Sequence, residues 1–284
     1  MKYKWIAVSA GVLLLVLSAT NLSAVLTDEH LRYHQHEQRP AYTPCADHGD
    51  ETLCSHLPLV LINTGGEAIP GVPIPDGDGD RRDDSFTTTA DGGTLLRASI
   101  AVVDHVNGNN HPADLPTLES TIDIRVRGNS SRYFDKHSYL IKTLTDNGAS
   151  SRDVAMLGMH EFDEWALYGP YLDKSLIRNY MWYNLAGELM DYAPNVRFCE
   201  VLLNGEYQGL YVMTETINSA VDARLKLTEP SKDTIQTSYA LRLDRGSGND
   251  VRNIETFSQY ALRNLQDMDI VYPGTKWLTP ERTA

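Results

Sequence analysis

Basic residues are in short supply. The 284-residue chain carries 25 lysines and arginines against 38 aspartates and glutamates, a formal net charge of −13. Tracking a nucleic-acid backbone needs a basic stripe, so nucleic acid is set aside as a partner. Cysteine is scarce as well: three residues leave room for one bridge at most. No nucleophile elbow, no HExxH and no defensible carboxylate pair occur, which leaves a secreted hydrolase without support. What is present suffices for a substantial core, since 42% of residues are hydrophobic, fitting one large domain or one with an appendage.

The N-terminus reads as a targeting device. Lys2 and Lys4 precede the apolar run Ile6 to Ala19, and the segment continues to Leu26. This predicts export. A cleaved signal peptide and an uncleaved membrane anchor over residues 1–26 both stay open, because Leu17 and Leu22 stand where a signal peptidase prefers small residues before Ala19 and Ala24. Residues 27–56 are polar and rich in histidine (His30, His34, His36, His48, His56) without repeated ligand spacing, so they read as a polar tether rather than a metal site. Within it Cys45 and Cys54 enclose eight residues, a comfortable loop for a disulfide in an exported protein. Cys199, in RFCEVLLNG, reads as a buried core thiol.

The fold proper is expected from residue 57 to 284. LPLVLINTGG is a short strand closed by a turn. The loop holding Asp76, Asp78, Asp80, Asp83 and Asp84 resembles the start of a calcium loop, but Thr87 stands where the closing Glu belongs, and a solvated acidic loop is preferred. LLRASIAVVD is another strand. The stretch Ile122 to Leu144 alternates as two strands around Gly128, Asn129, Ser130 and Ser131, small residues that let backbone N–H groups approach an anion, with Arg127, Arg132, Lys136 and Lys142 as countercharge. The same pattern also describes an ordinary loop with a solvated basic rim. A helix follows from about Asp173 to Met190, with Asp173 or Ser175 as cap, and Trp165, Tyr168, Tyr171 and Trp182 as core. RFCEVLL and GLYVMTE form a hairpin about Asn204 and Gly205, and YALRLD is one more strand. The fold class predicted is α+β: a mostly antiparallel sheet with one packed helix, the layout of a kinase small lobe.

Several blocks together resemble the CotH family of spore-coat atypical protein kinases. They are LPLVLINTGG, IRVRGNSSRYFDKHSYLIK, WALYGPYLDKSLIRNYMWYNLAGEL with YAP after it, RFCEVLLNGEYQGLYVMTETI and YALRLDR, in family order over residues 57–245. The resemblance implies an exported, ATP-dependent phosphotransferase using Mg²⁺ and acting on spore-coat or cell-surface proteins. On the kinase analogy Gly128, Asn129, Ser130 and Ser131 cover the nucleotide phosphates, and Lys142 binds phosphate oxygens, with Arg127 and Lys136 as further candidates. Glu188 would orient Lys142, and Glu215 would mark the hinge that meets the adenine edge. Glu188 and Glu215 also read as ordinary surface acids.

The family's metal-holding acids come from a helical large lobe, and neither its Asn-x-Asp segment nor its paired-aspartate motif occurs here. Asp267 and Asp269 precede a Pro-Gly turn and are rejected as a substitute. Thr279, Pro280 and Glu281 announce a helix just before the last residue, so the chain reads as a fragment without its large lobe, with no catalytic or metal residues of its own. The alternative is a non-catalytic exported module for coat or surface assembly.

Overall fold

The computed structural model describes residues 32–39, 45, 53–75, 85–105, 108–218, 224–244 and 267–283. Residues 1–26, read above as a targeting device, residues 76–84, read as an acidic loop, and part of the histidine-rich stretch lie outside these residues. Among the described residues no helix is long and apolar enough to cross a membrane.

The elements are, in order, helix α1 (Gln35–Gln38), strands β1 (Leu59–Asn63), β2 (Pro73–Ile74), β3 (Ser85–Phe86), β4 (Leu96–Val103), β5 (Leu118–Arg127), β6 (Ser138–Leu144) and β7 (Glu164–Tyr168), helix α2 (Arg178–Leu189), strands β8 (Val196–Leu203), β9 (Glu206–Glu215), β10 (Ala240–Asp244) and β11 (Asp267–Tyr272), and the helical turn α3 (Pro280–Thr283). The chain divides into two compact units, Met1–Thr216 and Ile217–Ala284.

Seven strands of the first unit close into a barrel in the order β1, β4, β5, β6, β7, β9, β8. The seam is β1, antiparallel to β4 with Leu59 opposite Val103, and parallel to β8 with Leu59 opposite Glu200. The side chain of Asn204 reinforces it, accepting the Thr64 N–H at 2.8 Å through Oδ1. The fold class predicted from sequence, a kinase-like small lobe with an α+β sheet carrying a helix, is thereby overturned. The molecule is mostly β, and its main sheet has no free edge. The physical reason is that closure depends on pairing β1 with a strand some 140 residues away, which no local alternation encodes.

Alternation along each strand sends one set of side chains inward. Ile122, Ile124 and Val126 of β5, Ile141 of β6, Trp165 and Leu167 of β7, and Tyr211 and Met213 of β9 are all buried. Trp165 is fully buried, and its indole N–H reaches the Phe162 carbonyl at 3.0 Å, so the polar edge of this large ring is satisfied. Cys199 lies in the same core, where desolvation pushes its thiol pKa up, as suits an inert buried cysteine. Asn204 and Gly205 both have positive φ, 52° and 85°, and make a two-residue turn between β8 and β9, so the hairpin that the Asn-Gly pair signalled forms with its second strand starting at Glu206, three residues earlier than the sequence reading placed it.

Helix α2 lies on the outside of the barrel, with Tyr180 stacked on Phe198 at 4.3 Å and packed with Val196 and Val212. It begins at Arg178, five residues later than the cap expected for it. Asp173 still serves the helix start, accepting the Arg178 N–H at 2.8 Å, while its other oxygen holds Ser175. Trp182, expected in the core, is 59% exposed, and Leu185 and Leu189 are exposed beside it. Their neighbours Tyr180 and Tyr183 take the barrel-facing side instead. In the stretch read as a tether, residues 32–39 pack on the barrel: Gln35 is buried and exchanges hydrogen bonds with the backbone of Phe198 at 3.0 and 2.7 Å.

In the second unit β10 and β11 pair antiparallel. Asp269, rejected as a metal ligand, is buried and joined to Arg242 at 3.1 Å.

Candidate functional site

The outward residues of four adjacent strands form a row of alternating charge. Register places Arg97 of β4 opposite Asp123 of β5, Asp123 opposite Lys142 of β6, and Lys142 opposite Glu164 of β7. Arg97 Nε meets Asp123 at 2.7 Å, and Lys142 Nζ meets Glu164 Oε2 at 3.1 Å. The second oxygen of Glu164 accepts the Thr216 hydroxyl at 2.7 Å, which fixes the carboxylate. Cross-strand pairs of opposite charge stabilise a sheet modestly, and they leave little net charge along this row.

Two residues further along β5 the compensation stops. Arg125 and Arg127 stand on the same outward face, and among the described residues no carboxylate is within ion-pairing distance of either. Arg127 is half-buried, and desolvation holds its guanidinium below the ordinary arginine pKa range; Tyr183 of α2 and Glu164 favour the charge, while Arg125 opposes it. A partly buried guanidinium without a carboxylate in ion-pairing reach has the geometry and charge to take an anion through a two-pronged contact.

Arg127 ends β5 and leads directly into the loop Gly128–His137. Gly128 has φ +118°, and a Cβ there would meet the Ser131 hydroxyl at 1.9 Å, so the tight entry requires glycine. Ser130 to Tyr133 form one 3₁₀ turn. Gly128, Asn129 and Ser130 are exposed and Ser131 is half-buried. Arg132, expected among the countercharges, is spent on structure: its guanidinium donates to the carbonyls of Gly128 at 2.6 Å and Gly71 at 3.4 Å and lies 4.4 Å over the Phe86 ring. At the far end of the loop Phe134 stacks on Tyr171 at 5.0 Å, tying it to the segment that precedes α2.

The remaining sequence-predicted residues scatter. Lys136 turns away from Lys142 and sits 4.7 Å over the Tyr211 ring, where desolvation lowers its pKa. Glu188, expected to orient Lys142, binds His34 Nε2 at 2.5 Å instead; the acid that Lys142 meets is Glu164. Glu215 ends β9 with its carboxylate buried, accepting the Asn195 N–H at 2.8 Å. Thus Arg127, the Gly128–Ser131 loop and Lys142 share adjacent strands, while Lys136, Glu188 and Glu215 serve other contacts. Sequence reading missed Arg97, Arg125, Asp123 and Glu164. The alternation in IDIRVR already placed Asp123 and Arg125 on one face with Arg127, but the register that brings Glu164 to Lys142 was not readable.

The described donors do not form a magnesium site. Mg²⁺ needs oxygen ligands in an octahedron, whereas Asp123 and Glu164 are each occupied by a cation, and no other group of carboxylates converges among the described residues.

Comparison with known families matches the CotH kinase protein family model to residues 124–271, a little over half of the chain. The matched region runs from the middle of β5 to β11 and so contains the loop, Lys142, Glu164 and α2. A search of curated proteins finds no match to the chain.

Proposed function

The chain belongs to the CotH kinase protein family, and on that premise we propose that it binds ATP on the outer face of the barrel and serves the transfer of phosphate to spore-coat or cell-surface proteins. The observation that carries this reading is Arg127, a half-buried guanidinium at a strand end with no carboxylate partner among the described residues, opening onto a glycine-led loop. Backbone N–H groups of Gly128 to Ser131 would cover the phosphates, Arg127 would take two oxygens at once, and Lys142 would swing from Glu164 to a third.

Phosphoryl transfer depends chiefly on positioning and on electrostatic stabilisation of charge on the transferred group. The cations here supply the second. Bound ATP brings the group to be transferred, and this chain's own residues hold its phosphates and limit their contact with water. No residue is assigned as the base that accepts the substrate proton, and no step is drawn through a metal, because the described carboxylates do not fit one.

ATP binding by the full chain tests the proposal. Arg127→Ala and Lys142→Ala should each weaken binding by tenfold or more in titration calorimetry, the loss of a charge-assisted contact worth about 1.5–3 kcal/mol. Binding unchanged in both variants would refute it.

One observation favours a second reading, a non-catalytic assembly module. Met181, Trp182, Leu185 and Leu189 expose an apolar stripe on α2, 43%, 59%, 41% and 78% accessible. No ATP binding, together with stable capture of a coat or wall protein that Trp182→Ala abolishes, would support this alternative.

A further inference from the structure

We infer that Cys45, Cys54 and His111 form a zinc site. Their ligand atoms, two sulfurs and one ring nitrogen, all lie within 4.8 Å of one another. Donors bound at about 2.0–2.3 Å in a tetrahedron stand roughly 3.5–3.8 Å apart, so a contraction of about 1 Å closes the set around an ion. Two thiolates and an imidazole suit zinc, and do not suit the hard ions calcium and magnesium.

The position of His111 is not accidental. An isolated antiparallel bridge joins Ser55 to Asn110, with N–H to carbonyl distances of 3.1 and 2.7 Å, and so brings the preceding Cys54 beside the following His111. Asn110 is fully buried, and its side chain fastens the bridge by donating to the Leu57 carbonyl at 2.9 Å and accepting the His105 N–H at 2.7 Å. Asp114 then holds the ring: its Oδ2 accepts the His111 backbone N–H at 2.8 Å and lies 3.2 Å from Nδ1. A proton on Nδ1 donated to Asp114 makes Nε2 the coordinating atom, the carboxylate–histidine pairing that orients imidazole at metal centres. Zinc binding takes a proton from each thiol to solvent, and water or another donor completes the tetrahedron. The ion would clip the histidine-rich stretch to the loop between β4 and β5, outside the phosphate-binding face.

A Cys45–Cys54 disulfide, the expectation from spacing, is the competing use of the same sulfurs. No disulfide joins them in the structure.

The test is metal analysis of the full chain purified without chelator, with thiols titrated after denaturation. About one zinc per chain and three titratable thiols are expected, with zinc lost in Cys45→Ser and His111→Ala. Asp114→Asn, which alters no ligand, should weaken zinc binding roughly 10- to 100-fold in competition with a chromogenic chelator. It decides the matter if the ligand variants fail to fold. A protein without zinc whose Cys45 and Cys54 are recovered as a disulfide would overturn the site, as would unchanged zinc affinity in Asp114→Asn and His111→Ala.

Discussion

Lys142 Nζ lies 3.1 Å from Glu164 Oε2, so the lysine expected to bind phosphate is already paired with an acid from the next strand. The pair is partly exposed, with 41% of the Lys142 side chain accessible, and stabilises the fold by less than about 1 kcal/mol. Lys142→Ala should therefore leave the thermal midpoint nearly unchanged while weakening ATP binding tenfold or more. Glu164→Gln should release the lysine and strengthen binding two- to fivefold. Calorimetry on the two variants separates a charge that serves a ligand from one that serves the sheet.

Gly128 offers a geometric test of the loop. Alanine there meets the Ser131 hydroxyl and must also hold φ at +118°, at a cost of about 1–3 kcal/mol. Gly128→Ala should lower the unfolding midpoint slightly and ATP affinity more. Adding Ser131→Ala removes the clash but not the dihedral strain, so stability should recover only in part.

Asp173 should make the region before α2 sensitive to acid. The Ser175 hydroxyl and the backbone N–H groups of Ser175 and Arg178 hold its carboxyl below its ordinary value of 3.8. A carboxyl whose pKa falls on folding adds stability above its unfolded pKa and loses it as pH drops through the folded value. Wild type should therefore lose stability below about pH 4 more steeply than Asp173→Asn, whose side chain does not titrate. Urea unfolding from pH 6 to pH 2 gives the comparison; parallel curves would show that the carboxyl does not gain its hydrogen bonds on folding.

The barrel core can be tested at Trp165. It is fully buried between Phe162 and inward residues of the neighbouring strands, and truncation leaves a large cavity and removes the indole N–H bond to the Phe162 carbonyl, which keeps the Val154 N–H at 3.1 Å. Trp165→Ala should cost about 3–5 kcal/mol in chemical denaturation at unchanged slope. Trp182→Ala, on the exposed face of α2, should cost under 1 kcal/mol despite removing the same side chain.

Strand alternation alone determined which face of IDIRVRG is apolar, because inward and outward residues differ in chemistry at period two. Turn chemistry did the same for Asn204 and Gly205, where positive φ demands such residues. The blocks that resemble the CotH family were equally legible, since they are runs of sequence. Three things were decided only in three dimensions. The sheet closed because β1 found β8 across 140 residues, and a chain cannot announce so distant a pairing locally. Glu188 went to His34 and Glu164 to Lys142, because the register of β7 on β6, not the kinase analogy, sets which acid is near. Cys45 and Cys54 gained His111 because one backbone bridge, Ser55 to Asn110, carries it there. Periodicity fixes the faces of an element; pairing between distant elements fixes which charges and ligands meet.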